Sequence, residues 1–115
     1  MSRQVSRQVQ WMRIVLPDPP PSKAYPNRKT HYLGLSKIRN EQKEEIIAYV
    51  LVQGRPDYPF NRAHITITWR SKDKRDRDID NLLSAMKGSI DGLTHAGVIV
   101  DDSAKHLSYT LYYDW

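Results

Sequence analysis

Apolar and polar residues alternate along two segments of the chain, and a period of two is typical of half-buried β-strands. In residues 63–69 the odd-numbered positions are apolar, and the even-numbered positions carry histidine or threonine. In residues 106–113 leucine or tyrosine occupies every odd-numbered position. A third segment, residues 11–16, has the apolar and β-branched content of a buried strand, and the prolines after it end any sheet pairing. The pattern therefore predicts three strands.

Apolar residues recur at the helical period in two further segments. Ser36 can cap a helix that runs to about Val52, and Gly54 can stop it. A second helix begins near Ile79 and ends before Gly97. The expected core positions of the two helices are Ile38, Ile46, Ile47, Val50 and Leu51, and then Ile79, Leu82, Leu83, Met86, Ile90 and Leu93.

The order strand, helix, strand, helix, strand predicts an α+β fold, in which two main helices pack on a small mixed β-sheet. A chain of 115 residues is long enough for one domain with a modest core. We expect that domain to span residues 11–115. Residues 1–10 contain arginines and no acid, and we expect them to form a flexible basic arm.

Charge narrows the choice of partner. The net charge of +5 and a pI of about 9.6 favour a polyanion such as nucleic acid. The absence of cysteine excludes disulfides, thiolate metal sites and cysteine nucleophiles, and fits a reducing compartment. No apolar run approaches the roughly 18 residues of a membrane span. We therefore expect a cytoplasmic protein with no membrane partner.

Acids crowd one stretch of this basic chain. Asp78 and Asp80 are separated by one residue, so their carboxylates can converge only if the chain is still extended as it enters the second helix. Two carboxylates about 4 Å apart repel by about 4 kcal/mol at an effective dielectric constant of about 20, so convergence needs a cation. Local bases can neutralise them, with Asp78 as the helix N-cap. Alternatively, both acids bind a divalent cation such as Mg²⁺, which prefers oxygen ligands.

A metal site needs a further carboxylate, and Asp101 and Asp102 supply candidates beyond the same helix. Adjacent side chains of an extended chain point apart, so we expect one of the two to join. A magnesium site surrounded by bases suits phosphodiester hydrolysis, because the metal activates water while the bases hold the DNA strand. The candidate DNA-binding bases are Lys23, Arg28, Lys29, Arg70, Lys72, Lys74, Arg75 and Arg77. The first three lie in a proline-rich stretch whose alternative interpretation is a stiff surface loop.

Residues 75–103, RDRDIDNLLSAMKGSIDGLTHAGVIVDDS, resemble the RusA-type endodeoxyribonucleases, which are Holliday-junction resolvases of bacteria and phages. The likeness consists of D-x-D-N-L, D-x-L-x-x-A-G and D-D-S in sequence, together with the proline-rich stretch after residue 16. It implies that Asp78, Asp80 and Asp102 bind catalytic metal, with Asp101 as a further candidate ligand. It also implies Mg²⁺, for which Mn²⁺ can substitute, a homodimer, and paired symmetric nicks across four-way DNA junctions in a bacterial or phage-infected cell. A two-fold dimer suits two symmetric cuts.

One departure from the family pattern concerns its functional lysine, which follows the second aspartate by four residues. Ser84 stands there in this chain, and the helix is about three residues longer before Asp91. Lys87 lies seven residues after Asp80, two helical turns on and on nearly the same face, so it is either the catalytic replacement or a solvated lysine. Asn81 either orients a carboxylate or water or caps the helix. For Asp91 we expect a structural hydrogen bond or salt bridge.

The missing family lysine supports an alternative function, a non-catalytic DNA-junction-binding protein that has lost turnover. The substitution Asp80→Asn separates the two hypotheses, because a nuclease loses cutting while it still binds junctions.

Overall fold

The structure is a computed structural model that describes residues 11–21, 24, 32–71 and 77–114. Its elements are α1 (Tyr32–Gln53), β1 (Ala63–Arg70), α2 (Ile79–Ala85), α3 (Lys87–His95) and β2 (Leu107–Asp114). The predicted arm, residues 1–10, lies outside the described residues. None of the helices in the described part of the chain has a stretch long and apolar enough to cross a membrane. The α+β class is confirmed.

The strands β1 and β2 form a two-stranded parallel sheet, paired from Ala63 with Leu107 to Arg70 with Asp114. Parallel strands need a crossover connection, which α2 and α3 provide. Both strands were predicted within a residue of their bounds. The predicted faces of β1 are also confirmed, since Ile67 and Trp69 are buried and every even-numbered residue is exposed.

The predicted first strand is wrong for the described residues. Residues 11–16 belong to no helix or strand, and they form no backbone hydrogen bond with other described residues. Their side chains nevertheless alternate between exposed and half-buried, and Met12, Ile14 and Leu16 pack against the larger core cluster. The apolar pattern identified the side chains that face the core, but a strand also needs a neighbouring backbone to pair with.

The helix α1 begins at Tyr32 rather than at a Ser36 cap. Ser36 is one turn inside the helix, where nearby backbone N–H groups already have helical partners, so its hydroxyl has no cap to make. The predicted stop is confirmed, because Gly54 has φ of 97° and donates its N–H to the Val50 carbonyl at 2.8 Å. The apolar stripe is narrower than predicted, since Leu51 is 76% exposed.

The predicted second helix is interrupted at Met86, where φ is −89° and ψ is 1°. The break leaves the Ala85 carbonyl without a partner inside the helix. This carbonyl instead accepts a hydrogen bond from the side-chain amide of Gln42 in α1 at 2.9 Å. Gly97 ends α3 with φ of 80°, as predicted. At the start of α2, Ile79 is 62% exposed, so the prediction that it is a core residue is wrong.

Two glycines allow α1 and α3 to approach closely. A Cβ atom at Gly88 would lie 2.5 Å from the Arg39 carbonyl oxygen, and one at Gly92 would lie 2.7 Å from Cβ of Ile46. These distances are too short for any larger residue without movement of the helices. The close crossing fixes the backbone position of Lys87, which immediately precedes Gly88.

The core has two clusters of buried side chains. The larger lies between α1, α3 and the strands, and the smaller lies under α2 and the end of β1. Met86 packs against both clusters, so the helix break lies between them. The buried members are Ile46, Val50, Ile90, Val98, Ile99 and Leu107 in the larger cluster and Ala24, Trp69, Leu82 and Ala85 in the smaller.

Candidate functional site

The first predicted acidic pair lies at the start of α2. Asp78 occupies the N-cap position with extended backbone (φ −70°, ψ 134°), and its carbonyl accepts hydrogen bonds from the N–H groups of Asn81 and Leu82. Its carboxylate makes no capping hydrogen bond to the described residues. Asp80 follows in the first turn and accepts the backbone N–H of Asn81 at 3.1 Å. Both carboxylates are exposed, as a metal-binding or solvated role requires.

Arg77 anchors this pair to the sheet. Its guanidinium donates to the Ser71 hydroxyl at 3.0 Å and to the Tyr113 hydroxyl at 2.5 Å. Ser71 directly follows β1 and Tyr113 is near the end of β2, so the start of α2 is held at the carboxyl ends of both strands. Arg77 was predicted to contact DNA, and in this structure its guanidinium is half-buried and bound to the protein.

The second acidic site is formed by α3 and the connection before β2. The ammonium of Lys87 is 3.2 Å from a carboxylate oxygen of Asp91 and 3.2 Å from one of Asp102. Lys87 and Asp91 are one helical turn apart, and Asp102 belongs to the connection before β2. The structure therefore brings Lys87 together with one of the predicted metal ligands. The structural salt bridge expected for Asp91 is also present.

The predicted metal ligands are distributed over two places in the fold, the start of α2 and the connection before β2. Ligands that share one Mg²⁺ each lie about 2.1 Å from the ion, so their oxygens must be within about 4 Å of one another. Within the described residues, no group of three His, Cys, Asp or Glu side chains is placed to hold a metal ion.

The fit to magnesium is thus partial. The carboxylates of Asp78, Asp80, Asp101 and Asp102 are the hard oxygen donors that Mg²⁺ prefers. Their arrangement in this structure does not gather them around one ion.

The environment of the second site changes three pKa values. Hydrogen bonds to Asp102 and then to Asp91 raise the pKa of Lys87, so its ammonium is charged at neutral pH. A hydrogen bond from the Ser103 side chain lowers the pKa of Asp101. Burial, and then the charge of Asp102, raise the pKa of Tyr109. These shifts keep Lys87 as a cation, Asp101 as a carboxylate and Tyr109 as a neutral phenol at neutral pH.

Tyr109 was not among the predicted site residues. It is 38% exposed and lies close enough to feel the charges of Asp102, Lys87 and Asp91. The signal available in the sequence was its odd-numbered position in the final strand, which puts it on the same face as Leu107.

His64 was left without a role in the sequence, and the structure pairs both of its ring nitrogens. They lie 2.7 Å from the Ser108 hydroxyl and 2.7 Å from the Thr110 hydroxyl, both on the neighbouring strand. His64 thus links the two strands on the exposed face of the sheet.

Of the predicted DNA-binding bases, the structure describes Arg70 and Arg77. Arg70 is exposed at the end of β1, one residue before Ser71 to which Arg77 is bound. The others lie outside the described residues, and they are Lys23, Arg28, Lys29, Lys72, Lys74 and Arg75.

Comparisons with known proteins give no match: no family model, no curated protein and no solved structure is similar to this chain.

Proposed function

We propose that this protein is a magnesium-dependent, structure-selective DNA endonuclease that resolves four-way junctions by paired symmetric nicks, in DNA recombination and repair. The observation that carries the proposal is the 3.2 Å contact between Lys87 and Asp102. These residues are 15 positions apart in the chain. Asp102 was assigned to the site from the family resemblance, and Lys87 was the candidate replacement for the family lysine. Their contact supports Lys87 as the counterpart of the family lysine for which Ser84 stands in the chain.

The proposed roles follow from position and charge. Asp78, Asp80 and Asp102, with Asp101 as a further donor, supply carboxylates for Mg²⁺ or Mn²⁺, which polarises the phosphodiester and activates water when bound. Lys87 supplies a positive charge beside the carboxylates for the scissile phosphate. Arg70 and the bases outside the described residues neutralise backbone phosphates on either side. Arg77 holds the acidic start of α2 at the ends of the strands.

The dimer is part of the proposal, since paired cuts need two active sites. It is supported by apolar side chains that one chain leaves exposed. At the end of α1, Leu51 is 76% exposed and its neighbour Val52 is 90% exposed. A second copy of the chain packed on this end of α1 would cover these two side chains.

The test is incubation of a labelled synthetic four-way junction with the protein, with and without Mg²⁺. We expect symmetrically nicked duplexes only when the metal is present. Asp80→Asn is expected to abolish cutting while the variant still binds the junction. Asp57→Asn is the matched control, because Asp57 is an exposed acid outside both acidic sites, and it should cut normally. An intact junction in every divalent metal contradicts the proposal.

A second candidate function is DNA-junction binding without catalysis. The observation that favours it is that the described carboxylates form no group of three around a metal position. In that case the wild-type protein and Asp80→Asn bind the junction equally, and neither cuts it. The same gel experiment separates the two functions.

A further inference from the structure

Residues 11–16 lie against the fold as a segment whose backbone is unpaired. Exposed and half-buried side chains alternate along it, as they do along an extended strand. Its N–H and C=O groups form no backbone hydrogen bond with other described residues. Met12, Ile14 and Leu16 pack against the larger core cluster, so the side chains hold the segment in place. An extended backbone with free N–H and C=O groups is the kind of edge that pairs with a strand of another chain.

The two edges of this segment differ in what they offer. In a strand that pairs antiparallel, the N–H and C=O groups of one residue point to the same edge, and those of the next residue point to the opposite edge. The even-numbered edge carries the N–H groups of Met12, Ile14 and Leu16. The odd-numbered edge runs into Pro17, which has no N–H to donate. The even-numbered edge is therefore the one that can form an uninterrupted row of hydrogen bonds.

We propose that a second copy of the chain pairs with this edge, antiparallel about a two-fold axis at Ile14. Ile14 then lies opposite the partner's Ile14, and Met12 lies opposite the partner's Leu16, so the core-facing side chains of both copies share one face. The even-numbered N–H groups of each copy donate to the even-numbered carbonyls of the other. The inference rests on the proposed function, which requires a homodimer, and it names a surface through which the two copies meet.

The same register covers side chains that one chain leaves exposed. Trp11 is 75% exposed, Val15 is 66% exposed, and Pro17 is also exposed. With the axis at Ile14, Trp11 lies opposite the partner's Pro17, and Val15 lies opposite the partner's Arg13. These are pairs without hydrogen bonds, in which opposite Cα atoms are about 4.5 Å apart and the side chains are close. The missing N–H of Pro17 therefore costs no hydrogen bond, and the rings of Trp11 and Pro17 cover each other.

The neighbouring registers are less favourable. An axis at Arg13 places this residue directly opposite the partner's Arg13, and like charges in that position are destabilising. An axis midway between Arg13 and Ile14 places each core-facing side chain opposite an exposed one, which no antiparallel pair with one buried face allows. Among these three axes, only the one at Ile14 keeps the faces together and the arginines apart.

The first experiment measures amide hydrogen exchange in the whole protein by NMR. Pairing through the even-numbered edge predicts a period of two along the segment. The even-numbered amides of residues 12–16 are expected to exchange at least about tenfold more slowly than the odd-numbered amides of residues 11–15, because only the former donate across the interface.

The second experiment shows whether the pairing joins two copies. The chain has no cysteine, so an introduced cysteine is the only thiol in each variant. Cysteines in Arg13→Cys and Val15→Cys lie opposite each other across the axis, at a Cα separation of about 4.5 Å that suits a disulfide. Two copies of the same variant hold their cysteines about 8 Å apart, which is too far. A mixture of the two variants, one with a mass tag, is therefore expected to give about tenfold more mixed than like disulfide dimer.

Ser84→Cys is the matched control, because Ser84 is exposed in α2 and lies outside the segment. A mixture of Ser84→Cys and Val15→Cys is expected to form mixed and like dimers in the proportions of random collision. Even-numbered and odd-numbered amides that exchange alike would overturn the inference. So would a mixture of Arg13→Cys and Val15→Cys that gives no more mixed dimer than the control.

These outcomes are separable from those of the cutting assay. A protein that shows the alternating exchange and the mixed cross-link but cuts no junction keeps the strand pairing and loses the nuclease. A protein that cuts junctions without the cross-link keeps the nuclease, and its dimer then forms through another surface, such as the end of α1.

Discussion

Replacing Gly88 by alanine tests how closely α3 lies against α1, and with it the placement of Lys87. The new Cβ would lie 2.5 Å from the Arg39 carbonyl oxygen, 2.5 Å from the side-chain oxygen of Gln42 and 2.8 Å from Cα of Arg39. The Gln42 side chain can move, but the oxygen and Cα of Arg39 belong to the backbone of α1. Relief of those two contacts requires separation of the helices.

Two opposing effects set the magnitude. Alanine gains roughly 1 kcal/mol over glycine inside a helix. An extra carbon forced into a well-packed site costs roughly 1–3 kcal/mol, and contact with fixed backbone places this site at the upper end of that range. We therefore expect Gly88→Ala to lower the free energy of unfolding by about 1–2 kcal/mol, with a fall in Tm of roughly 4–8 °C.

The assay is urea denaturation followed by circular dichroism at a helical wavelength. Ser84→Ala serves as the control, because Ser84 is exposed in α2 and should gain a few tenths of a kcal/mol from the better helix former. The two alanine substitutions are thus expected to have opposite signs. A Gly88→Ala protein at least as stable as wild type refutes the close helix crossing.

Three further predictions concern the packing and charge of the same region. Leu82→Ala should cost about 2–5 kcal/mol because Leu82 is 1% exposed, whereas Ile79→Ala in the same helix, at 62% exposure, should change stability by less than about 0.5 kcal/mol. Arg77→Met removes hydrogen bonds at the ends of both strands, and we expect a loss of about 1–2 kcal/mol and faster amide hydrogen exchange at the start of α2. Hydrogen bonds to two carboxylates raise the pKa of Lys87, so the stability that its ammonium contributes is complete below pH 10.5 and is lost as the pH rises through the folded-state pKa. Lys87→Met lacks this contribution, and we expect its stability to fall by about 0.5 kcal/mol less than that of the wild type above pH 10.5.

Urea titrations measure the first and the third of these effects, and hydrogen exchange by NMR measures the second. Equal losses for Leu82→Ala and Ile79→Ala would contradict the placement of α2. Unchanged exchange in Arg77→Met would show that Arg77 does not hold the helix start. A pH profile of Lys87→Met that coincides with the wild-type profile would rule out the ion pair in solution.

Local sequence patterns predicted two strands and the ends of the helices. The features that were not predicted depend on contacts with distant parts of the chain. Strict alternation identified β1 and its buried face, and Gly54 and Gly97 marked both predicted helix ends. In residues 11–16 the alternation is also present, but a strand exists only where a second backbone pairs with it. The helix break at Met86 is accompanied by a contact with α1 that no local pattern contains, since the Ala85 carbonyl accepts the side-chain amide of Gln42.

The candidate site also has one contact that local spacing predicts and others that it does not. The pairing of Lys87 with Asp91 follows from their spacing of four residues in a helix. The contact between Lys87 and Asp102 was not readable from spacing, because it depends on how the connection before β2 passes α3. The anchoring of the start of α2 was not readable either, because Arg77 is bound to Ser71 and Tyr113 at the carboxyl ends of both strands.

Anomalous diffraction from crystals soaked in Mn²⁺ tests most directly whether the two acidic sites act as one. Our account predicts a manganese peak with Asp102 and at least one of Asp78 and Asp80 as ligands. A protein saturated with Mn²⁺ that shows no peak at these carboxylates would contradict it.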